Sequence, residues 1–196
     1  THSSGHGTHT SGSVLGNGNA SGGQIKGMAP NATLVMQSVM DSGGGLGGLG
    51  SDLKVLFGQA YNDSARIHTN SWGASVAGWY TGDSRAVDQF MWDHPDMVIL
   101  FSAGNDGTDG NNDGVVDEDS IGSPATAKNC ITVGATENDR PGGNSTWGGS
   151  WGSDFPSDPI ASDRLADDPD GLAGFSSRGP TNDMRIKPDI VAPGTF

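Results

Sequence analysis

The sequence has few of the features that mark a membrane protein, a nucleic-acid binder or a disulfide framework. Cys130 is the only cysteine among 196 residues, so no internal disulfide can form and the redox compartment stays open. Its apolar neighbours predict a small buried side chain. No apolar run approaches the roughly 18 residues of a membrane-spanning helix. The net charge of −13 argues against nucleic-acid binding.

The chain also lacks an initiator methionine and a signal peptide, and it stops inside a strand-turn pattern at 191–196. We therefore interpret it as an internal piece of a longer protein, incomplete at both ends. Its length is sufficient for one domain with a hydrophobic core, so we predict that residues 1–196 belong to a single domain.

Most of the acidic excess lies in two windows. Residues 106–119 hold six acids, and residues 154–170 hold six more with only Arg164 opposing them. Outside these windows, 11 acids and 9 bases nearly balance. This distribution indicates two acidic insertions, near 106–120 and 141–171, on an otherwise ordinary domain.

Short apolar strands alternate with helical patterns at the spacing of βαβ units. Near-continuous apolar strands are typical of sheets that are covered on both faces, so we predict a three-layer α/β/α domain with a largely parallel sheet. The predicted strands are Ala32–Ser38, Arg66–Asn70, Met97–Phe101, Cys130–Val133 and Ile186–Val191. The predicted helices are Thr8–Leu15, one that begins after a cap at Ser51, and Ser84–Trp92.

Ligands of parallel sheets bind beyond the carboxyl ends of the strands. That rule places 71–73 and 102–105 on one functional edge. In Ser-Ala-Gly-Asn, small residues leave room for a ligand, and the amide of Asn105 offers the neutral N–H donor that an oxyanion hole requires. The alternative is that Asn105 is a turn residue that tolerates left-handed geometry.

Two histidines, His6 and His9, share one face of the first predicted helix. This pair alone leaves three interpretations open: a zinc pair, residues that cap or pack the helix start, and a catalytic base. No cluster of cysteine or histidine supplies an obvious third zinc ligand.

The first acidic window contains the pattern of a calcium loop. The segment resembles the EF-hand loop when Asp109 is counted as position 1. It then has oxygen ligands at positions 1, 3 and 5, a glycine at position 6 and a backbone carbonyl ligand at position 7, although no flanking helix pair is evident. The alternative is a solvated Asp/Asn/Gly turn. Ser120 replaces the usual glutamate at position 12, which leaves Asp119 as the candidate closing ligand. The candidate ligands are Asp109, Asn111, Asp113, Val115, Asp117 and Asp119. The window 154–170 has no ligand spacing and predicts an exposed loop.

Together these motifs resemble the subtilisin-like serine proteases (subtilases), and within them the oxidatively stable alkaline proteases. Order and spacing agree across nearly the whole chain. The motifs are Gly5–Gly12 (the catalytic-histidine motif), Ser71–Gly73, Ser102–Gly107, Phe175–Pro180 and Lys187–Gly194.

The resemblance implies that 1–196 is the central part of a subtilase catalytic domain, with His6 as general base and Asn105 as oxyanion donor. His9 is then structural. Residues implied to flank an extended peptide as antiparallel neighbours are Gly44, Gly45, Leu46, Ser71, Trp72 and Gly73. Residues implied to wall the pocket for the residue before the scissile bond are Ser102, Ala103 and Gly104. The parent is expected to be a secreted, monomeric endopeptidase that acts on extended peptide or protein substrates and uses structural calcium.

The chain departs from the family pattern because neither the catalytic aspartate nor the catalytic serine is present. Phe196 does not occupy the serine position, since the Ala-Pro-Gly before it marks an earlier segment. We therefore predict that the 196-residue chain is inactive alone. The alternatives are a catalytically dead calcium-binding or structural module on the same scaffold, and a zinc hydrolase that uses His6 and His9.

Overall fold

A computed structural model describes residues 5–140 and 142–195. The chain divides into two compact units, Thr1–Arg66 and Ile67–Phe196, which are described separately. Phe196, which the family pattern excludes as the nucleophile, lies outside the described residues. None of the helices in the described residues is long and apolar enough to cross a membrane.

The first unit contains two helices, α1 (His6–Leu15) and α2 (Leu53–Asn62), and two 3₁₀ turns, Asn19–Ser21 and Gly47–Leu49. The cap of α2 is Asp52, one residue after the predicted Ser51. Asp52 is the last extended residue before the helix, and its carboxylate accepts a hydrogen bond from the Lys54 backbone N–H (2.9 Å).

The prediction of a strand at Ala32–Ser38 is wrong for this structure. A strand needs a paired neighbour, and residues 5–66, all of which are described, contain no strand that could supply one. The segment before it pairs with the end of α1 instead. Gly27 N–H donates to Gly16 (2.8 Å), and Ala29 N–H donates to Val14 (2.7 Å).

The second unit is built on a sheet of four parallel strands in the order β1-β2-β3-β4, which confirms the predicted α/β class. The strands are β1 (Ile67–Asn70), β2 (Val98–Ser102), β3 (Ile131–Thr136) and β4 (Ile190–Pro193). Two helices, α3 (Gly82–Asp93) and α4 (Trp147–Ser150), and a 3₁₀ turn, Ile160–Ser162, complete the unit.

Strand β4 begins four residues later than predicted. Pro188 has no N–H for a ladder, and Lys187 turns its side chain inward, where Nζ donates to the carbonyl of Cys130 (3.0 Å) and pairs with Asp189 (2.6 Å). The apolar residues that suggested an earlier start are exposed; Ile186 is 87% exposed.

The core of the sheet is formed by the apolar strand β2 and by α3. Ile99 and Phe101 are fully buried, as is Val87 on the helix. Cys130 is buried as predicted, and burial raises the pKa of its thiol, which makes it a packing residue rather than a nucleophile.

The acidic window 154–170 is mostly an exposed loop, as its composition predicts, but two of its apolar side chains, Phe155 and Leu165, are buried. These two side chains pack with apolar residues from outside the window in a separate buried cluster, which we call the insertion core. Its members are Val116, Trp147, Phe155, Leu165 and Ala173. The burial of these side chains was not predicted, because the members of the cluster are too far apart in sequence to form a periodic pattern.

Glu137 joins the insertion core to the end of β3. Its Oε1 accepts a hydrogen bond from Trp147 Nε1 (3.0 Å), and its Oε2 accepts the backbone N–H groups of Asp167 (3.3 Å) and Asp168 (3.4 Å). Glu137 is only 2% exposed, and burial raises the pKa of its carboxyl against the opposite effect of these donors.

Candidate active site

The segments that follow β1 and β2 lie together at one edge of the sheet. The two strands are parallel neighbours in register, with Asn70 opposite Phe101, so the chain leaves both at the same level. Residues 71–75 and 102–106, with Gly122 and Ser123, enclose a cavity of about 200 Å³. The second unit therefore brings together Ser71, Trp72, Gly73, Ser102, Ala103, Gly104 and Asn105, at the edge that the parallel sheet predicts.

The first wall of the cavity is the segment after β1. The Trp72 ring packs edge-on against Phe101, with ring centroids 5.2 Å apart. Ala74 and Ser123 exchange two backbone hydrogen bonds of 2.9 Å. Gly73 is required by this close approach, because a Cβ there would lie 2.9 Å from the Ser123 carbonyl oxygen.

The second wall is the turn that carries Asn105. Gly104 has φ +118, and a Cβ there would lie 2.7 Å from Ser177 Oγ. Ser177 N–H donates to the Gly104 carbonyl (3.1 Å), and Ser177 Oγ accepts the backbone N–H of Asp106 (3.0 Å). Ser177 thus fixes the backbone on both sides of Asn105.

Asn105 is exposed on the rim of the cavity, and within the second unit its side-chain amide makes no hydrogen bond to a described residue. Its two N–H donors remain available to a ligand. The neighbouring carboxylate of Asp106 is occupied, since Ser75 Oγ donates to it (2.7 Å) and thereby ties the two walls together. A neutral donor on a rigid turn is suited to an oxygen that becomes negatively charged.

Six residues of this site were not predicted as site residues from sequence: Ala74, Ser75, Asp106, Gly122, Ser123 and Ser177. Gly122 N–H donates to the buried Ala103 (2.9 Å) and closes the floor, while Ser123 braces the first wall. Ser75 and Ser177 are the two bracing hydroxyls described above. Only Asp106 and Ser177 carried a usable signal, because they lie in the family motifs 102–107 and 175–180.

His6, the predicted base, is the first residue of α1 in the first unit. Gly5 precedes it with φ +65, and the helix begins with a hydrogen bond from His9 N–H to the Gly5 carbonyl (2.9 Å). A residue with a side chain would be strained at position 5. The side chains of His6 and His9 are both exposed.

Gly44, Gly45 and Leu46 lie in an exposed loop of the first unit, directly before the 3₁₀ turn. Gly44 has φ +84, a conformation that favours glycine. The loop is exposed, but the N–H groups of Gly44 and Gly45 and the carbonyl of Gly45 form hydrogen bonds with Asp41 within it.

The predicted calcium loop is organised around Asp109, which is 1% exposed. Its Oδ1 accepts the backbone N–H of Asp113 (2.9 Å), and its Oδ2 accepts that of Gly114 (3.1 Å). Asp113 Oδ1 accepts the N–H of Val115 (2.9 Å), while the Val115 carbonyl accepts no hydrogen bond from a described residue.

Of the two acids proposed to complete this loop, only Asp117 stays in it, where Oδ2 accepts the N–H of Gly110 (2.7 Å). Asp119 turns toward Gly78 and the side-chain amide of Asn182. With that amide turned so that all its neighbours are satisfied, its nitrogen donates to Asp119 Oδ1 (3.1 Å), so we leave Asp119 out of the proposed ligand set.

Among residues 5–140 and 142–195, no three His, Cys, Asp or Glu side chains are close enough to hold a metal ion. A calcium ion in this loop would therefore need amide and carbonyl oxygens in addition to carboxylates. The same result gives no third ligand to a zinc pair of His6 and His9.

Comparison with known proteins shows the family. The subtilase family (Peptidase S8) profile matches residues 1–196, so the chain belongs to the subtilases. It is 32% identical to "Serine protease/ABC transporter B family protein tagA" of Dictyostelium discoideum over 67% of this chain and 7% of that protein. It is 32% identical to "Serine protease AprX" of Bacillus subtilis (strain 168) over 97% of this chain and 38% of that protein.

Among solved structures, "S41 Psychrophilic Protease" matches with a TM-score of 0.54 and 24% identity, covering 94% of this chain and 50% of that one. This likeness shows the fold. The chain thus spans about half of that structure and 7% to 38% of the first four curated relatives that it matches.

Proposed function

We propose that the protein carrying this chain is a serine endopeptidase that hydrolyses peptide bonds through an acyl-enzyme. One observation carries the proposal: the amide of Asn105, which makes no hydrogen bond to a described residue of its unit, stands on a braced turn at the rim of a cavity, at the carboxyl edge of a parallel sheet. Membership of the subtilase family supports the serine-type reaction.

In this proposal His6 takes the proton of the attacking serine and returns it to the leaving amine, while Asn105 donates to the tetrahedral oxyanion. The serine and the aspartate that orients His6 are expected outside the 196 residues. Gly44, Gly45 and Leu46, with Ser71, Trp72 and Gly73, would flank an extended peptide by strand addition. The small residues Ser102, Ala103 and Gly104 leave room for a large apolar or mixed side chain.

We expect a serine-directed fluorophosphonate to label the full-length protein covalently, because the reagent forms the tetrahedral adduct only with an activated serine. His6→Ala should abolish labelling, whereas His9→Ala, on the same face of α1, should retain most of it. In-gel fluorescence with intact-mass measurement reads both results.

The control is the isolated 196-residue chain, which we expect to stay unlabelled. Absence of labelling in the full-length protein would overturn the proposal and favour the catalytically dead module. Equal loss in the His6 and His9 variants would instead point to a structural role for both histidines.

We further propose that the loop at 109–117 binds calcium. The ion would be held by the amide oxygen of Asn111, the carbonyl of Val115 and the carboxylates of Asp109, Asp113 and Asp117, which would have to move closer together than they lie in this structure. The observation in favour is the backbone carbonyl of Val115, which accepts no hydrogen bond from a described residue. The N–H groups of Asp113, Gly114 and Val115 around it all donate to aspartate side chains of the loop.

Calcium at about 100 times its dissociation constant should raise the free energy of unfolding by about 2.7 kcal/mol and the thermal midpoint by roughly 5–10 °C. Differential scanning calorimetry with and without chelator measures this shift. Asp113→Asn should remove most of the shift. Asp170→Asn, which deletes the same charge in the other insertion, should leave it intact. A midpoint that calcium does not move would favour a solvated turn.

We also propose that the parent acts outside the cell as a monomer, as the family resemblance implies. An extracellular location would supply the calcium concentration that a lone loop of this kind requires. One relative is named as an extracellular protease ("Minor extracellular protease Vpr" of Bacillus subtilis), whereas tagA carries both serine protease and ABC transporter in its name.

A further inference from the structure

A second groove of the second unit lies between the two acidic insertions, and we call it the insertion groove. Its apolar wall comes from both of them: Val115 and Val116 from the first, Pro159 and Ile160 from the second. Val115 is 59% exposed, so this wall is open to solvent. The volume of about 540 Å³ lies in the range of small-molecule sites. The insertion groove shares no described lining residue with the candidate active site.

The two walls of the insertion groove are held together by backbone hydrogen bonds. Ile160 N–H donates to the carbonyl of Gly114 (3.3 Å), and Asp109 N–H donates to that of Asp154 (2.7 Å). Val116 anchors the first wall, because its side chain is buried in the insertion core. A ligand would therefore meet a formed site and would spend little of its binding free energy on ordering it.

Arg178 is the one cation among the described residues that line the insertion groove. Ser120 fixes its backbone: Arg178 N–H donates to Ser120 Oγ (2.9 Å), and Ser120 N–H donates to the Arg178 carbonyl (2.8 Å). The half-buried guanidinium, in contrast, forms no hydrogen bond or ion pair with a described residue, and its Nε is buried without an acceptor.

A half-buried guanidinium without a counter-ion is unfavourable, because the charge has lost part of its hydration and gained no partner. Desolvation lowers the pKa of Arg178 below its ordinary value, with no opposing effect from a carboxylate. An arginine nevertheless keeps its charge in proteins, so the group remains a cation. A carboxylate that reached Nε would supply the missing acceptor through a charge-assisted hydrogen bond.

The nearby acids define what kind of anion fits the insertion groove. Asp163 also lines it, but this residue is exposed and forms no ion pair with Arg178. Water screens its repulsion of a single negative charge, whereas the net charge of −13 disfavours ligands that carry several. One carboxylate on a small apolar body therefore matches both the cation and the wall.

We propose that the insertion groove binds the free carboxyl end of a short peptide whose last side chain is apolar. The carboxylate would accept from Arg178, and the side chain would pack on Val115 and Ile160. This inference goes beyond the proposed protease function, because it uses none of the residues of that site. Peptides released by hydrolysis would be among the ligands.

The test is calorimetric titration of the full-length protein after its active site has been blocked with fluorophosphonate. The probe is N-acetyl-leucine, for which we expect a dissociation constant on the order of 1 mM. N-acetyl-leucinamide lacks the charge and acetate lacks the apolar body, so each should bind at least roughly tenfold more weakly.

Three variants assign the binding to one side chain. Arg178→Gln should weaken N-acetyl-leucine at least roughly tenfold. Arg178→Lys keeps the charge but loses the planar N–H donors, so it should recover only part of that loss. Arg85→Gln removes the same charge from an exposed position of α3, outside the insertion groove, and should match the wild type.

A thermal melt without ligand separates this role from an internal one. Arg178→Gln should keep or raise the thermal midpoint, because a charge without a counter-ion does not stabilise the fold. A midpoint lowered by more than about 2 °C would assign Arg178 an internal partner and overturn the ligand site.

The ligand site would also be overturned by three titration results: no saturable heat from the wild type, equal binding of N-acetyl-leucine and its amide, or equal binding by Arg178→Gln. Failure of the protein to take up fluorophosphonate would remove the protease proposal alone. The unlabelled protein would then be titrated directly, with the same expected results.

Discussion

Asn105→Ala should lower kcat by about 10²- to 10³-fold with little change in KM, because the amide would act on the oxyanion and not on the ground-state carbonyl. The structure favours a clean experiment. Asn105 is exposed and makes no hydrogen bond to a described residue of its unit, so its removal should leave the thermal midpoint within about 1 °C. Steady-state kinetics on a tetrapeptide amide and a thermal melt give the two readouts.

Asn105→Asp is the matched control, since it keeps the shape of the side chain but replaces the N–H donors with a charge. We expect the kcat of Asn105→Asp to be at least as low as that of Asn105→Ala. An aspartate variant that retains most of the activity would show that donation by residue 105 is not what accelerates the reaction. A rise in KM at constant kcat would instead assign Asn105 to substrate binding.

The edge of the sheet that carries Asn105 was predictable from sequence because one physical rule governs it. Two apolar strands joined through a helix are parallel, and parallel strands end at the same edge. Once β1 and β2 are recognised as neighbouring strands, the rule places Trp72, which follows β1, near Gly104, which follows β2. The braces of the site were not predictable in this way. Ser177 is more than 70 positions from Gly104, and its role depends on the folded path of the chain.

The same distinction explains one error in the fold and one omission. An apolar stretch such as 32–38 has the composition of a strand, but a strand exists only where a neighbour supplies hydrogen bonds. The acidic window 154–170 has the composition of a loop, yet Phe155 and Leu165 are buried in it. Local composition reports neither the presence of a pairing partner nor the convergence of distant apolar side chains.

The second large effect that we expect is a loss of stability when the insertion core, which contains Phe155 and Leu165, is disrupted. Trp147 is fully buried at the centre of the insertion core, where it contacts Phe155 and Phe175 edge-on and donates to Glu137. Trp147→Ala should lower the free energy of unfolding by about 3–5 kcal/mol, because it removes the largest side chain of the cluster and leaves a cavity. Urea denaturation of the full-length protein, followed by circular dichroism, measures the loss.

Trp147→Phe isolates the hydrogen bond, since it keeps an aromatic ring but leaves Glu137 Oε1 without its donor. Burial already raises the pKa of Glu137, so its folded form favours the proton, and stability falls as the pH rises through that pKa. The indole N–H opposes this shift. Removal of the indole N–H should therefore lower the free energy of unfolding more at pH 7 than at pH 4. Trp151→Phe, in a ring that stacks on Trp147 but is 37% exposed, should show no such pH dependence. If Trp147→Phe lowers the free energy of unfolding equally at both pH values, the indole N–H does not stabilise the ionised form of Glu137. Packing alone would then hold the insertion to the sheet.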